Sequence, residues 1–206
     1  MEAIDLIFSI TVLIMSVVVH EVSHGYAAEA LGDPTARYAG RLTLNPLKHL
    51  DPFGSVILPA LTYFLGGFIF GWARPVPYNP YNLKNQKWGP GVVAAAGPVS
   101  NIFLAVVFGF LMRFGAGVSW IQGSLEVIST VVIINLVLAF FNLVPIPPLD
   151  GSKVAFAFLP YRFREFEGFL ESWGPVILIF FIFFFFRLIL PLVFWAFRFI
   201  TGFGVL

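Results

Sequence analysis

His20-Glu21-Val22-Ser23-His24 is the stretch of this chain whose residue types and spacing most plainly could do chemistry. On a helix, residues four apart lie about 40° apart around the axis, so both imidazoles face one side and can share one ion. Glu21 falls about 100° from His20, beside such an ion and not on it. A carboxylate there is placed to take a proton from a water activated by zinc. The five-residue pattern HExxH arises often by chance, but the setting strengthens it. Residues 4–19 before it are almost wholly apolar. An ionised side chain at the centre of a membrane helix costs roughly 2.5–3.5 kcal/mol, which disfavours an idle Glu. The bland alternative puts this turn in the headgroup layer. Ser9, Ser16, His20, Ser23 and His24 share an arc of roughly 100°, a stripe that must face protein or water.

A catalytic zinc usually takes three protein ligands and keeps one position open. The chain holds 3 His and no Cys, so the remaining ligand is His49 or a carboxylate. Glu29 lies about 140° round the helix from His24 and joins poorly. His49 sits between Lys48 and Asp51 in a basic stretch that suits an interfacial structural role. Asp150 is the better candidate. Pro145, Pro147 and Pro148 stop the preceding helix and leave extended backbone before Asp150-Gly151. Irregular backbone at membrane depth is tolerated only where protein buries it or it lines a cavity. The bland alternative for Asp150 is a cap on the next helix.

The elements that position these residues belong in lipid. Of 206 residues, 59% are hydrophobic and 11% charged, against about a quarter charged in soluble proteins. The net charge of +1 gives no electrostatic case for nucleic acid, and the lack of Cys removes disulfides and thiolate ligands. The N-terminus lacks a basic n-region, so the first apolar helix is expected to be retained. We expect an all-α polytopic membrane helix bundle forming one metalloprotease domain over 1–206. Membrane segments are expected near 4–31, 91–112, 125–144 and 175–200, the last interrupted by Arg187 and Pro191. The aromatic, basic and Pro-rich stretch 71–90 reads as an interfacial irregular or β-hairpin region. If His24 and Asp150 share an ion, an even number of crossings separates them. Segment 53–70, with Pro59 and Gly66-Gly67, is therefore expected to be re-entrant. Arg37, Arg41, Arg74, Lys84, Lys87 and Lys153 then share one side, and the 115–124 loop opposite has no Lys or Arg. By the positive-inside rule that side is cytoplasmic.

The HEVSH motif late in an apolar helix, Ala96-Gly97-Pro98-Val99-Ser100-Asn101 in another, and Asn142…Pro147-Pro148-Leu149-Asp150-Gly151 closing a third resemble the site-2 protease family. Gly71-Trp72-Ala73-Arg74-Pro75-Val76-Pro77 and Asn45-Pro46…His49…Asp51-Pro52 are similar to its small prokaryotic branch, which lacks a PDZ domain. The resemblance implies one zinc ion per chain held by His20, His24 and Asp150. It further implies Glu21 as general base and Asn142 as a catalytic residue that positions substrate or stabilises the oxyanion. The implied reaction hydrolyses peptide bonds in or near transmembrane segments of a membrane-protein or membrane-peptide substrate. The implied setting is the lipid bilayer of a prokaryotic plasma membrane, with the active site nearer the cytoplasm. The oligomeric state is not readable. Strand addition of an unwound substrate to residues 71–90 is a further expectation. The rivals are a membrane zinc transporter, which would usually show repeated halves, and a non-catalytic scaffold.

Overall fold

The computed structural model describes residues 3–57, 61, 64, 73–115 and 117–204. Its helices are α1 (Ala3–Ala30), α2 (Thr35–Tyr38), α3 (Gly89–Gly115), α4 (Ser119–Gln122), α5 (Leu125–Asn142), α6 (Asp150–Phe158), α7 (Arg164–Phe184) and α8 (Ile189–Thr201). No strand occurs among the described residues. The protein is an all-α helix bundle. Four of its helices, ending at Ala30, Gly115, Asn142 and Phe184, are long and apolar enough to cross a membrane.

Local sequence sets the helix ends. The apolar run of α1 stops at Gly32, which takes a φ of 107°, and Pro34 follows. The Asn85 side chain opens α3 by accepting the amides of Lys87 and Trp88 at 3.0 and 2.9 Å. Pro145 stops α5, and Asp150 is the first residue of α6. An acidic group there is favoured by the unpaired amides of the helix N-terminus. The N-cap position itself falls to Leu149, so Asp150 sits in the first turn and is not the cap.

Helix α3 is central and packs against α1, α5, α6 and α8. The main apolar cluster joins Ala105 and Met112 of α3, Val132 and Leu136 of α5, and Val193 and Phe197 of α8, all almost fully buried. Gly97, Asn101, Ala105 and Gly109, at intervals of four along α3, form a small and polar seam that is buried throughout. Outward-facing Phe103, Phe183 and Phe199 are 64%, 67% and 70% exposed, as lipid-facing positions should be. Segment 175–200 is not one helix. Helix α7 begins at Arg164, eleven residues earlier than expected, and the chain breaks over Phe186–Leu188 at Arg187 before α8.

Ser16, His20 and His24 of α1 meet Asn101, Gly97 and Val93 of α3 in reverse order, so these helices run antiparallel. The chain leaving α1 comes back to the same end of the bundle. Leu31 O accepts the Lys84 amide at 2.9 Å, and Asp33 Oδ2 accepts the Asn79 amide at 2.6 Å. Residues 32–84 therefore make no net crossing, which meets the parity condition for His24 and Asp150. Of the expected re-entrant segment, Pro52–Ile57 forms a π-helical turn tied to Asp51, whose Oδ1 accepts the Gly54 amide at 2.6 Å. Most of the remainder lies outside the described residues.

Asp33 is the hub of this return. Fully buried, it accepts from Thr35 N and Oγ1 (3.2 and 2.5 Å), Asn79 N (2.6 Å) and Asn82 Nδ2 (2.9 Å). Burial works against its charge, but the hydrogen bonds from Thr35, Asn82 and Asn79 outweigh it and lower its pKa below 3.8. A depressed carboxylate pKa contributes stability above its unfolded value, lost as pH falls through the folded one. We expect Asp33→Ala to lower stability by roughly 3 kcal/mol, since four hydrogen bonds to a buried carboxylate are lost. Thermal unfolding of detergent-solubilised protein reads this, and the gap to the unmutated protein should close below about pH 4.

Candidate metal centre

His20, Glu21 and His24 lie at the C-terminal third of α1, with ligand-capable atoms within 4.8 Å of one another. Asp150 Oδ2, at the start of α6, comes within 3.0 Å of His20 Nε2 and 3.3 Å of His24 Nε2. The two rings stand edge to face, their centroids 4.7 Å apart. Residues 130 positions apart are thus brought together by α3 and α5.

Partners behind the rings decide which nitrogens are free. His24 Nδ1 lies 2.7 Å from the Val93 carbonyl, which can only accept, so Nδ1 carries the proton. His20 Nδ1 lies 2.6 Å from Asn101 Oδ1. That orientation of Asn101 is fixed in turn, because its Nδ2 donates to Asn135 Oδ1 at 2.9 Å and to Ser16 O at 3.3 Å. Asn135 Nδ2 donates to Ser16 Oγ and Val131 O, closing a fully buried network. In the neutral rings both Nε2 atoms then present lone pairs to the Asp150 oxygen. Three acceptors converge, and a cation between them satisfies all at once. For ligand bonds of about 2.0–2.1 Å, a tetrahedral zinc needs ligand atoms about 3.3 Å apart, close to the two spacings seen here. The donor set fits zinc.

Gly97 makes the approach possible. A Cβ there would lie 2.5 Å from His20 Nε2 and 2.6 Å from His24 Nε2. Only a residue without one lets α3 pass directly beneath the convergent nitrogens.

The other sequence candidates stand apart from these residues. His49 is buried, but its Nε2 donates to Thr43 O at 2.9 Å and no contact joins it to His20, His24 or Asp150. It is almost fully buried, where its basic neighbourhood implied an interfacial position. Asn142 ends α5 with Nδ2 donating to Leu138 O in its own helix, at 2.9 Å, and makes no hydrogen bond to Glu21, the histidines or Asp150. The described part of 71–90 is irregular, not a hairpin. Strand addition meets an obstacle there: Pro75, Pro77 and Pro80 have no amide hydrogen, and the amides of Arg74, Val76 and Asn79 are spent on His49 O, Glu21 Oε2 and Asp33 Oδ2.

Sequence reasoning missed that Val76 contact, 2.9 Å from Glu21 Oε2. The alternation Pro75-Val76-Pro77 was its available signal. It also missed buried Arg41, whose Nη2 donates to Arg74 O at 2.7 Å. Burial and then the Arg74 charge pull the Arg41 guanidinium below its usual range, while the Glu21 charge pulls it back.

Comparison with known proteins identifies the family. The model of "Peptidase family M50" matches residues 112–185, which include Asn142 and Asp150. The chain is 39% identical over 176 residues to "Putative zinc metalloprotease YwhC" of Bacillus subtilis, covering 82% of this chain and 77% of that protein. Two proteins of the same description are Rip2 of Mycolicibacterium smegmatis (31%; 81% and 62%) and MJ0611 of Methanocaldococcus jannaschii (34%; 71% and 72%). The chain thus spans under two thirds of the Rip2 length. No solved structure matches it. With a relative this similar over most of both chains, and membrane-length helices around a His-Glu-His group, the chain belongs to peptidase family M50, the site-2 protease family of zinc metalloproteases.

Proposed function

We propose that this protease cleaves peptide bonds within or near transmembrane segments, with one zinc ion held by His20, His24 and Asp150 and with Glu21 as general base. The observation that carries the reading is the convergence of two Nε2 atoms and a carboxylate oxygen within 3.0–3.3 Å, with an acceptor behind each Nδ1. His20, Glu21 and His24 all fall inside the apolar span Ile4–Ala30, which supports chemistry below the lipid surface. When bound, zinc lowers the pKa of a water and polarises the scissile carbonyl.

The protein's own groups do the rest. Glu21 takes the water proton and delivers it to the departing amine nitrogen. Asn101 and Val93 hold the rings so that Nε2 stays bare. Asn142, at the end of α5, is the residue proposed to position the substrate once its amide leaves Leu138 O. The substrate segment must unwind locally, because its carbonyls are otherwise spent on helix hydrogen bonds. The basic residues clustered at the Lys84 and Lys153 end support a cytoplasmic-side active site in a prokaryotic cell membrane.

The test uses purified protein in liposomes with a model single-span substrate. Cleavage should stop with a zinc chelator and return with added zinc. Chelator-insensitive cleavage would remove the metal from the reaction. Zinc flux into the liposomes without any cleavage would favour a transporter.

A further inference from the structure

Residues Arg74–Asn79 run as an extended strap along the C-terminal third of α1. Pro75 and Pro77 carry no amide hydrogen and hold φ near −65°. Between them the backbone has a single donor, Val76 N–H, in a stiff setting. That donor meets Glu21 Oε2 at 2.9 Å, and Oε1 has no hydrogen bond among the described residues. The Val76 side chain is 5% exposed and lies against Gly25, where a Cβ would come within 2.9 Å of its Cγ1.

The strap is clamped upstream of Val76 on both sides of Arg74. His49 O accepts the Arg74 amide at 2.8 Å. Arg41 Nη2 donates to the carbonyls of Arg74 and Pro75 at 2.7 and 3.4 Å. Arg41 is only 7% exposed and pairs with no carboxylate among the described residues. Burying a cation costs several kcal/mol per ion after relaxation. Here that charge is devoted to two carbonyls next to the amide that holds Glu21.

We propose that Arg41 is a positioning residue for the catalytic base: through the clamped strap it keeps Val76 N–H on one oxygen of Glu21 and aims the other at the water. This rests on the reading of Glu21 as base. In Arg41→Ala, kcat should fall roughly 10- to 100-fold, the usual scale for lost orientation of a reacting group. KM and bound zinc should stay as in the unmutated protein. Arg41→Lys should restore most of kcat, because only Nη2 makes the clamp and Nε has no partner among the described residues. Replacing Val76 by its α-hydroxy analogue, which exchanges the N–H for an ester oxygen, should reproduce the kcat loss without touching the fold's side chains. Full kcat in Arg41→Ala or in the ester protein overturns the proposal. So does a loss of zinc together with kcat, or a lysine that rescues nothing. Amide exchange separates the two layers, since Val76 has the one exchangeable amide between Pro75 and Pro77. Rapid Val76 exchange in the unmutated protein sinks the strap contact even where cleavage is normal. A protected Val76 amide in a protein that cleaves no peptide sinks the base assignment alone.

Discussion

Glu21→Gln should keep its full complement of zinc and lose cleavage by about 10²- to 10⁴-fold, the range that general acid–base catalysis contributes. The exchange is nearly isosteric. A carboxamide oxygen can still accept the Val76 amide that sits 2.9 Å from Glu21 Oε2, so the strap has no reason to move. His20 Nε2, His24 Nε2 and Asp150 Oδ2 remain to hold the ion. What disappears is basicity, because a carboxamide does not take a proton at neutral pH. The loss should fall on kcat with KM unchanged, the signature of an interaction made on the way to the transition state. Zinc content is the sharper readout. Ligand-capable atoms of Glu21 lie within 4.8 Å of those of both histidines, so Glu21 as a ligand is the rival geometry. A Glu21→Gln protein stripped of zinc would falsify the base role and make Glu21 a ligand. Undiminished cleavage would remove it from the reaction.

Much of this site was legible because helical spacing decides what faces what within one helix. His20 and His24 had to share a face, Glu21 had to lie beside it, and Gly97, Asn101, Ala105 and Gly109 had to form one seam. The partnership of His24 with Asp150 was legible for a different reason: few ligands were left to choose from and three prolines marked irregular backbone before Asp150, and the pairing then required an even number of crossings. The hydrogen bond from Lys84 N to Leu31 O shows the chain meeting that condition. Depth between helices was not legible. That Asn101, and not some other polar residue, backs His20 depends on the relative slide of α1, α3 and α5, which no single-helix pattern encodes. Arg41, Asp33 and Val76 were hidden more deeply. Their partners lie 33 to 55 positions away through irregular backbone, where no periodicity links one residue to the next. The early start of α7 was masked by composition: Arg164, Glu165, Glu167 and Glu171 read as a polar connection, yet they occupy the first turns of a helix that becomes apolar only later.

Gly97→Ala should abolish stable zinc binding, and with it cleavage, without unfolding the protein. In most helix interiors this exchange stabilises by roughly 0.5–1 kcal/mol, because alanine gives up less backbone freedom on folding. Here the new methyl would stand 2.5 Å from His20 Nε2 and 2.6 Å from both Cε1 and Nε2 of His24. Ordinary carbon contacts begin about 1 Å further out, so either the rings turn or α1 and α3 move apart. Turning the rings breaks the bonds to Asn101 Oδ1 and Val93 O that keep Nε2 bare. Separating the helices carries both nitrogens away from Asp150 Oδ2. A metal site tolerates about 0.2 Å in its bond lengths, so neither escape leaves the ligand set intact. Thermal unfolding of the metal-free protein, zinc content and cleavage should therefore diverge: the first lowered only by the roughly 1–3 kcal/mol of an overpacked contact, the other two lost. Gly168→Ala is the matched control, since a Cβ there meets no atom within 4 Å on exposed α7; it should leave zinc and cleavage unchanged. Normal zinc content in Gly97→Ala would mean that α3 does not press on the histidine nitrogens as the structure has it, and that the ion sits elsewhere.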